Sequence, residues 1–121
     1  MKTTNIPRKI IENPNNCPVT HAMNIIGGKW KPIIIFLLAR GPLRFGKLVM
    51  FIPAISRKVL TDQLRELEAD GLISRKKFAE IPPRVEYSLT EKSASLIPIL
   101  FEFAQWTVEN SPGIEFLDFD N

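Results

Sequence analysis

IPAISRKVLTDQLRELEADG, residues 52–71, joins a tight turn to an amphipathic helix, and the fold is read outward from it. Pro53 carries no N–H and cannot sit inside a helix, so Ile52-Pro53-Ala54-Ile55 reads as a turn. Ser56 is a favoured N-cap residue. Gly71 is favoured just past a helix end. Between them Leu60, Leu64 and Leu67 recur at i, i+4, i+7 and make one core-facing stripe. Arg57, Lys58, Thr61 and Arg65 fall off that stripe, the first three in the leading turns. Asp62, Glu66, Glu68 and Asp70 lie later or on another side.

Upstream, three more helices are expected. One runs from about Val19 to Ile26 and stops at Gly27-Gly28. The next runs from about Lys31 to Arg40, with Pro32 in its first turn and Gly41-Pro42 behind it. Its run Ile33 to Leu38 is apolar on nearly every side, so it is buried on most sides. A third spans Phe45 to Phe51, with Phe45, Leu48 and Val49 at helical spacing. Downstream, Leu72–Phe78 and Val85–Leu89 read as strands. The link Ala79–Arg84, with Pro82 and Pro83, is too long for a two-residue hairpin and reads as an extended wing. Thr90 caps a last helix, Glu91 to Asn110, which Pro98 should kink or split. Helix, tight turn, helix and hairpin in that order is the winged helix-turn-helix arrangement, mainly α with a small β-hairpin (α+β). Residues 1–16 are expected to form a flexible arm, 17–110 the domain with a C-terminal dimerisation helix, and 111–121 a tail.

The charge distribution supports one function class. Over the 121 residues net charge is +3. Lys29–Arg84 holds twelve Lys/Arg and five Asp/Glu, whereas Val85–Asn121 holds one Lys and seven acids. A basic middle and an acidic end suggest that a polyanion meets the middle. The leading turns of a recognition helix enter the major groove, where Arg and Lys reach guanine acceptors. The candidate contacts to double-stranded DNA are Ser56, Arg57, Lys58, Thr61 and Arg65 on the fourth helix. Lys76, Lys77 and Arg84 join them from the wing, with Arg75 leading in, and Arg44 and Lys47 from the third helix. An enzyme is poorly supported: there is no nucleophile-base arrangement and no phosphate-cradling glycine loop. One Cys and one His build neither a disulfide framework nor a zinc cluster, so no metal or cofactor is implied. No signal-peptide pattern opens the chain, and its longest apolar run is far too short to span a bilayer. A reducing cytoplasm and no membrane partner are therefore expected. The rival reading is a winged helix used as a protein-interaction module, which usually leaves the fourth helix neutral or acidic. RNA is a weaker option, because no aromatic stacking platform accompanies the charge.

Cys17-Pro18-Val19, Ile26-Gly27-Gly28-Lys29-Trp30-Lys31, Gly41-Pro42-Leu43-Arg44-Phe45 and Leu64-Arg65-Glu66-Leu67-Glu68-Ala69-Asp70-Gly71-Leu72 are blocks of a recognisable pattern. Pro82-Pro83-Arg84-Val85-Glu86-Tyr87-Ser88-Leu89-Thr90 and Trp106 extend it. Together they resemble the HxlR-type regulators, bacterial winged-helix proteins related to the MarR type. The resemblance implies a homodimer on a palindromic operator, often a repressor, and in some members a sensing cysteine at the Cys-Pro position. Three positions depart from the pattern: Ala54 and Ser93 where glycine is usual, and Met50-Phe51 where the third helix is usually more basic.

The last helix carries more apolar surface than one core face needs, and a second chain is its expected cover. The expected interface is Ile97, Leu100, Phe101, Ala104, Trp106 and Val108. Leu96, Leu100, Phe103 and Ala104 are expected to reach the body. The arm, or Ile114, Phe116, Leu117 and Phe119 of the tail, would be the alternative cover. Cys17 precedes a helix N-terminus, with His21 four residues on. The dipole and any charge on His21 would favour its thiolate, so an oxidant or small electrophile is a candidate effector. An inert buried cysteine is the competing reading.

Overall fold

The computed structural model describes residues 8–116. A 3-10 turn at Pro14–Asn16 precedes α1 (Pro18–Ile26), α2 (Lys31–Leu38), β1 (Leu43–Arg44), α3 (Phe45–Phe51) and α4 (Arg57–Ala69). Then come β2 (Ile73–Phe78), β3 (Arg84–Leu89), α5 (Glu91–Ala94) and α6 (Ile97–Asn110). The three strands form one antiparallel sheet in the order β1-β3-β2. This is the expected winged helix.

The deciding turn closes where the sequence puts it. The Ile55 N–H donates to the Ile52 carbonyl at 3.2 Å, leaving Pro53 and Ala54 at the centre. No described non-glycine residue has positive φ, so Ala54 closes this turn without the freedom of glycine. Ser56 caps α4, its Oγ accepting from the Val59 N–H at 3.1 Å. Leu60, Leu64 and Leu67 are buried with Ile34, Ile35 and Leu38 of α2, Leu48 of α3 and Ile73 of β2. Each such side chain contributes roughly 1.5–3 kcal/mol through burial, and together they fix how α4 sits on the body. Gly71, at φ 75°, then turns the chain into the sheet, a conformation that favours glycine.

Several expectations need correction. Helix α2 stops at Leu38 rather than Arg40, because the chain tightens: the Ala39 N–H bonds the Phe36 carbonyl and the Gly41 N–H bonds that of Leu38. The wing loop is shorter, 79–83, because Arg84 pairs with Phe78 as the last rung of the ladder. Strand β1 was not foreseen, since two residues are too few to show alternation. Residues 13–16, expected in the arm, are ordered. Asn13 caps their 3-10 turn, and Asn24 of α1 donates to Asn15 Oδ1 at 3.0 Å. Met1–Pro7, the first part of that arm, lies outside the described residues, as do Leu117 and Phe119 of the tail.

The last helix is split into α5 and α6, one of the two outcomes expected of Pro98. Pro98 has no N–H to offer the Ala94 carbonyl, and it sits instead in the first turn of α6. Leu96 packs against the core, as expected. Leu100 is buried in the monomer core at 6% exposure, and Ile97 packs at the core edge. Phe103, expected against the body, is 51% exposed. Ser93 also has a positive role. It is buried, accepts from the Thr90 N–H at 3.0 Å and completes a reciprocal cap on α5. Thr90 Oγ1 in turn donates to the Gly71 carbonyl at 2.7 Å, tying the hairpin exit to the end of α4.

Candidate DNA-binding surface

The leading turn of α4 presents Arg57 and Lys58 to solvent. The Arg57 guanidinium carbon lies 5.6 Å from the centroid of the Phe45 ring, which braces the arginine against the start of α3. Lys58 pairs with Asp62 at 2.9 Å, but its side chain stays 85% exposed. Such a surface pair holds the ammonium only weakly. The Thr61 hydroxyl donates to the Arg57 carbonyl at 2.8 Å, which leaves its oxygen as an acceptor. Arg65 is exposed two turns further on. Arg44 and Lys47 are exposed at the start of α3, and Arg44 is the residue preceding its first turn.

The wing divides its charge between two faces, because strand side chains alternate. Arg75 and Lys77 stand opposite Tyr87 and Val85, on the face that carries buried Ile73. Lys76 and Arg84 lie on the other face with Glu86. Arg84 is held within the wing. Its guanidinium carbon sits 4.0 Å above the Phe78 ring centroid, and Nη2 is 3.3 Å from Glu80. Nε is 3.4 Å from Glu86, an attraction without hydrogen-bond alignment. Lys76 Nζ also approaches Phe78, at 4.9 Å. Sequence reasoning places Arg75, Lys76, Lys77 and Arg84 in one cluster; strand alternation is the signal that separates them.

One further feature was not foreseen, and one was foreseen with a different cause. Lys31, counted within the basic middle, is buried and bonds Glu66 of α4 at 3.0 Å, so its charge faces inward. Cys17 takes the N-cap position of α1. The Thr20 N–H, then its hydroxyl, then the Val19 N–H hold the thiol below its ordinary value, against a small opposing effect of burial. The cause is the donors of the first turn; His21 has no part in it. Among the described residues no group of three or more His, Cys, Asp or Glu is placed to hold a metal. No described helix is long and apolar enough to cross a membrane.

The family model for HxlR-like helix-turn-helix proteins matches residues 25–114. The chain belongs to that family. It is a transcription regulator of the HxlR/MarR type with a DNA-binding helix-turn-helix. An HTH-type transcriptional regulator of Halalkalibacterium halodurans is 48% identical over 101 residues, 83% of this chain and 89% of that protein. A MarR-family regulator from Porphyromonas gingivalis superposes with a TM-score of 0.76 at 46% identity, covering 85% of this chain and 99% of its own. The redox regulator HypR in its oxidized form superposes at 0.73 with 44% identity, covering 78% and 97%. Helix α4 thus stands as the second helix of that helix-turn-helix.

Proposed function

We propose that this HxlR-type regulator binds a palindromic operator as a homodimer and represses the genes beside it. One observation carries the reading: the N-terminal turn of α4 is capped by Ser56, anchored by Leu60 and Leu64, and leads with exposed Arg57 and Lys58. Arginine and lysine there reach base acceptors in the major groove, and the free N–H groups of the turn suit a phosphate. Thr61 and Arg65 continue the same stripe of α4. Arg44 and Lys47 flank it from α3. Lys76, Lys77 and Arg84 belong to the wing, which follows the backbone or the minor groove.

The dimer is supported by α6. Ile99, Phe101, Phe103 and Trp106 are each about half exposed or more along one short helix, an unusual load of large apolar side chains for a surface. Phe101, Ala104, Trp106 and Val108 remain in the proposed interface, while Leu100 serves the monomer core. Cys17 is the proposed sensor. Its N-cap site favours thiolate, and the similarity to the redox regulator HypR points the same way. Oxidation or alkylation there would weaken operator binding.

Selection of bound duplexes from a random pool tests the core of this reading. A palindrome with half-sites about one helical turn apart is the expected return. An unenriched pool would leave the interaction-module reading standing instead.

A further inference from the structure

Between α4 and the wing lies a cleft of about 300 Å³, lined by Thr61, Leu64, Arg65 and Glu68 of α4 and by Arg75 and Tyr87 of the sheet. Its geometry follows from two periodicities. Thr61, Arg65 and Glu68 are spaced i, i+4, i+7 and share one helix face. Arg75 and Tyr87 are direct cross-strand partners and share one sheet face. The two faces meet where α4 packs on β2.

Two guanidinium groups therefore line one cleft against a single carboxylate. Neither the Arg65 nor the Arg75 side chain forms an ion pair or hydrogen bond among the described residues. Two other bases of α4 and the wing do have carboxylate partners: Lys58 pairs with Asp62, and Arg84 with Glu80 and Glu86. Like charges facing a shared space leave it electropositive, and the planar fork of arginine matches phosphate oxygens two at a time. The Thr61 hydroxyl has its proton engaged on the Arg57 carbonyl, so the donors offered to an anion are the two arginines and the phenol of Tyr87.

We propose that this cleft is a phosphoryl-binding notch. It grips one backbone phosphate of the bound duplex between recognition helix and wing, through Arg65 and Arg75. Arg57, Thr61 and Arg65 form one i, i+4 stripe, so the gripped phosphate is adjacent to the bases that the leading turn reads. The proposal rests on α4 being the DNA-reading helix. It adds Tyr87, which sequence reasoning did not place in the site, gives Arg75 of the wing cluster a defined partner in Arg65, and gives free inorganic phosphate a weak place in the same notch.

The experiment has two arms on the full chain. In the first, duplex affinity is measured against salt for wild type, Arg75→Ala, Arg75→Lys and Lys29→Ala. Arg75→Ala is expected to flatten the slope of log affinity on log salt by about 0.9 per subunit and to weaken all sequences alike by roughly tenfold. Arg75→Lys keeps the slope and loses part of the affinity, because it keeps charge without the fork. Lys29→Ala, in the α1–α2 connection, leaves the slope in place. In the second arm, arginine Nε–H resonances are followed while inorganic phosphate is titrated against a chloride control. Saturating shifts of Arg65 and Arg75 together, lost in Arg75→Ala, support the notch even if no duplex binds. Those shifts with an unchanged salt slope assign the notch to free phosphate. Duplex binding with an unchanged slope and no saturating shift overturns the notch and leaves the operator reading intact.

Discussion

Lys31 and Glu66 join the first turn of α2 to the recognition helix, Nζ to Oε1 at 3.0 Å, with the lysine 5% exposed. The two ends differ in solvation: the lysine side chain is 7% accessible and the glutamate 55%. Removing the carboxylate strands a buried ammonium, whereas removing the ammonium returns a carboxylate to water. Glu66→Ala is therefore expected to cost about 2 kcal/mol, and Lys31→Met less than about 1 kcal/mol, once the exposure of the glutamate is discounted. Urea denaturation of both variants checks it. Equal losses would show that the pair is held no more tightly at one end than at the other.

Arg57 faces solvent at the head of α4, and the Phe45 ring restrains it from one side. A restrained guanidinium reads a guanine better than a free one, because less rotamer freedom is lost on binding. Arg57→Ala is expected to cost about 1–3 kcal/mol on the selected operator and to relax preference at one base pair per half-site. Phe45→Leu, which keeps apolar bulk but removes the ring, should give a smaller loss at the same position. Competition binding against single-base operator variants measures both. A uniform loss across all variants would make Arg57 a phosphate contact instead.

The architecture was legible because its signals are local and strong. Pro53, Ser56, Gly71 and the leucine stripe each act within one or two turns, and α4 formed with its cap where they placed it. What failed was phase and partnership. Pro98 marks a disruption, but not where the helix restarts, so Leu100 reaches the body as expected while Ile97 and Phe103 change sides. Lys31 looked like any surface lysine, since its partner lies 35 residues away. Arg84 differs: its two glutamates, Glu80 and Glu86, lie four and two residues away, and the i, i+2 spacing along a strand was the signal that pairs it with Glu86. Positions of charges were readable from the chain; their commitments depend on contacts that only the fold makes.

Cys17 supplies a pH-dependent outcome. Donors of the α1 first turn favour its thiolate, so the folded thiol titrates below its ordinary value of 9.0. With the folded value depressed, this group favours folding above the unfolded pKa, and the contribution disappears as pH falls through the folded one. The rate of alkylation by iodoacetamide should accordingly reach its half-maximum at lower pH in native protein than in urea. Thr20→Val removes the hydroxyl and keeps the N–H, so its midpoint should move part of the way back. Coincident midpoints in native and denatured protein would leave the cysteine chemically ordinary.

The exposed face of α6 gives the test of assembly. Trp106 is 63% exposed in the single chain, and Phe101 is about half exposed although its ring meets Phe36 edge-on at 5.2 Å. Phe101 is thus braced by its own monomer, while Trp106 has most of its ring uncovered. If a second copy covers this face, Trp106 is the anchor and its truncation falls mainly on association. Trp106→Ala is expected to weaken the dimer at least tenfold, equivalent to about 1.4 kcal/mol, with little change in the far-ultraviolet circular dichroism. Phe101→Ala should weaken association and also lower monomer stability, because it removes the Phe36 contact. Sedimentation equilibrium across a range of concentrations separates the two effects. A wild type that sediments as a monomer at all concentrations would refute the dimer and, with it, the two-fold operator.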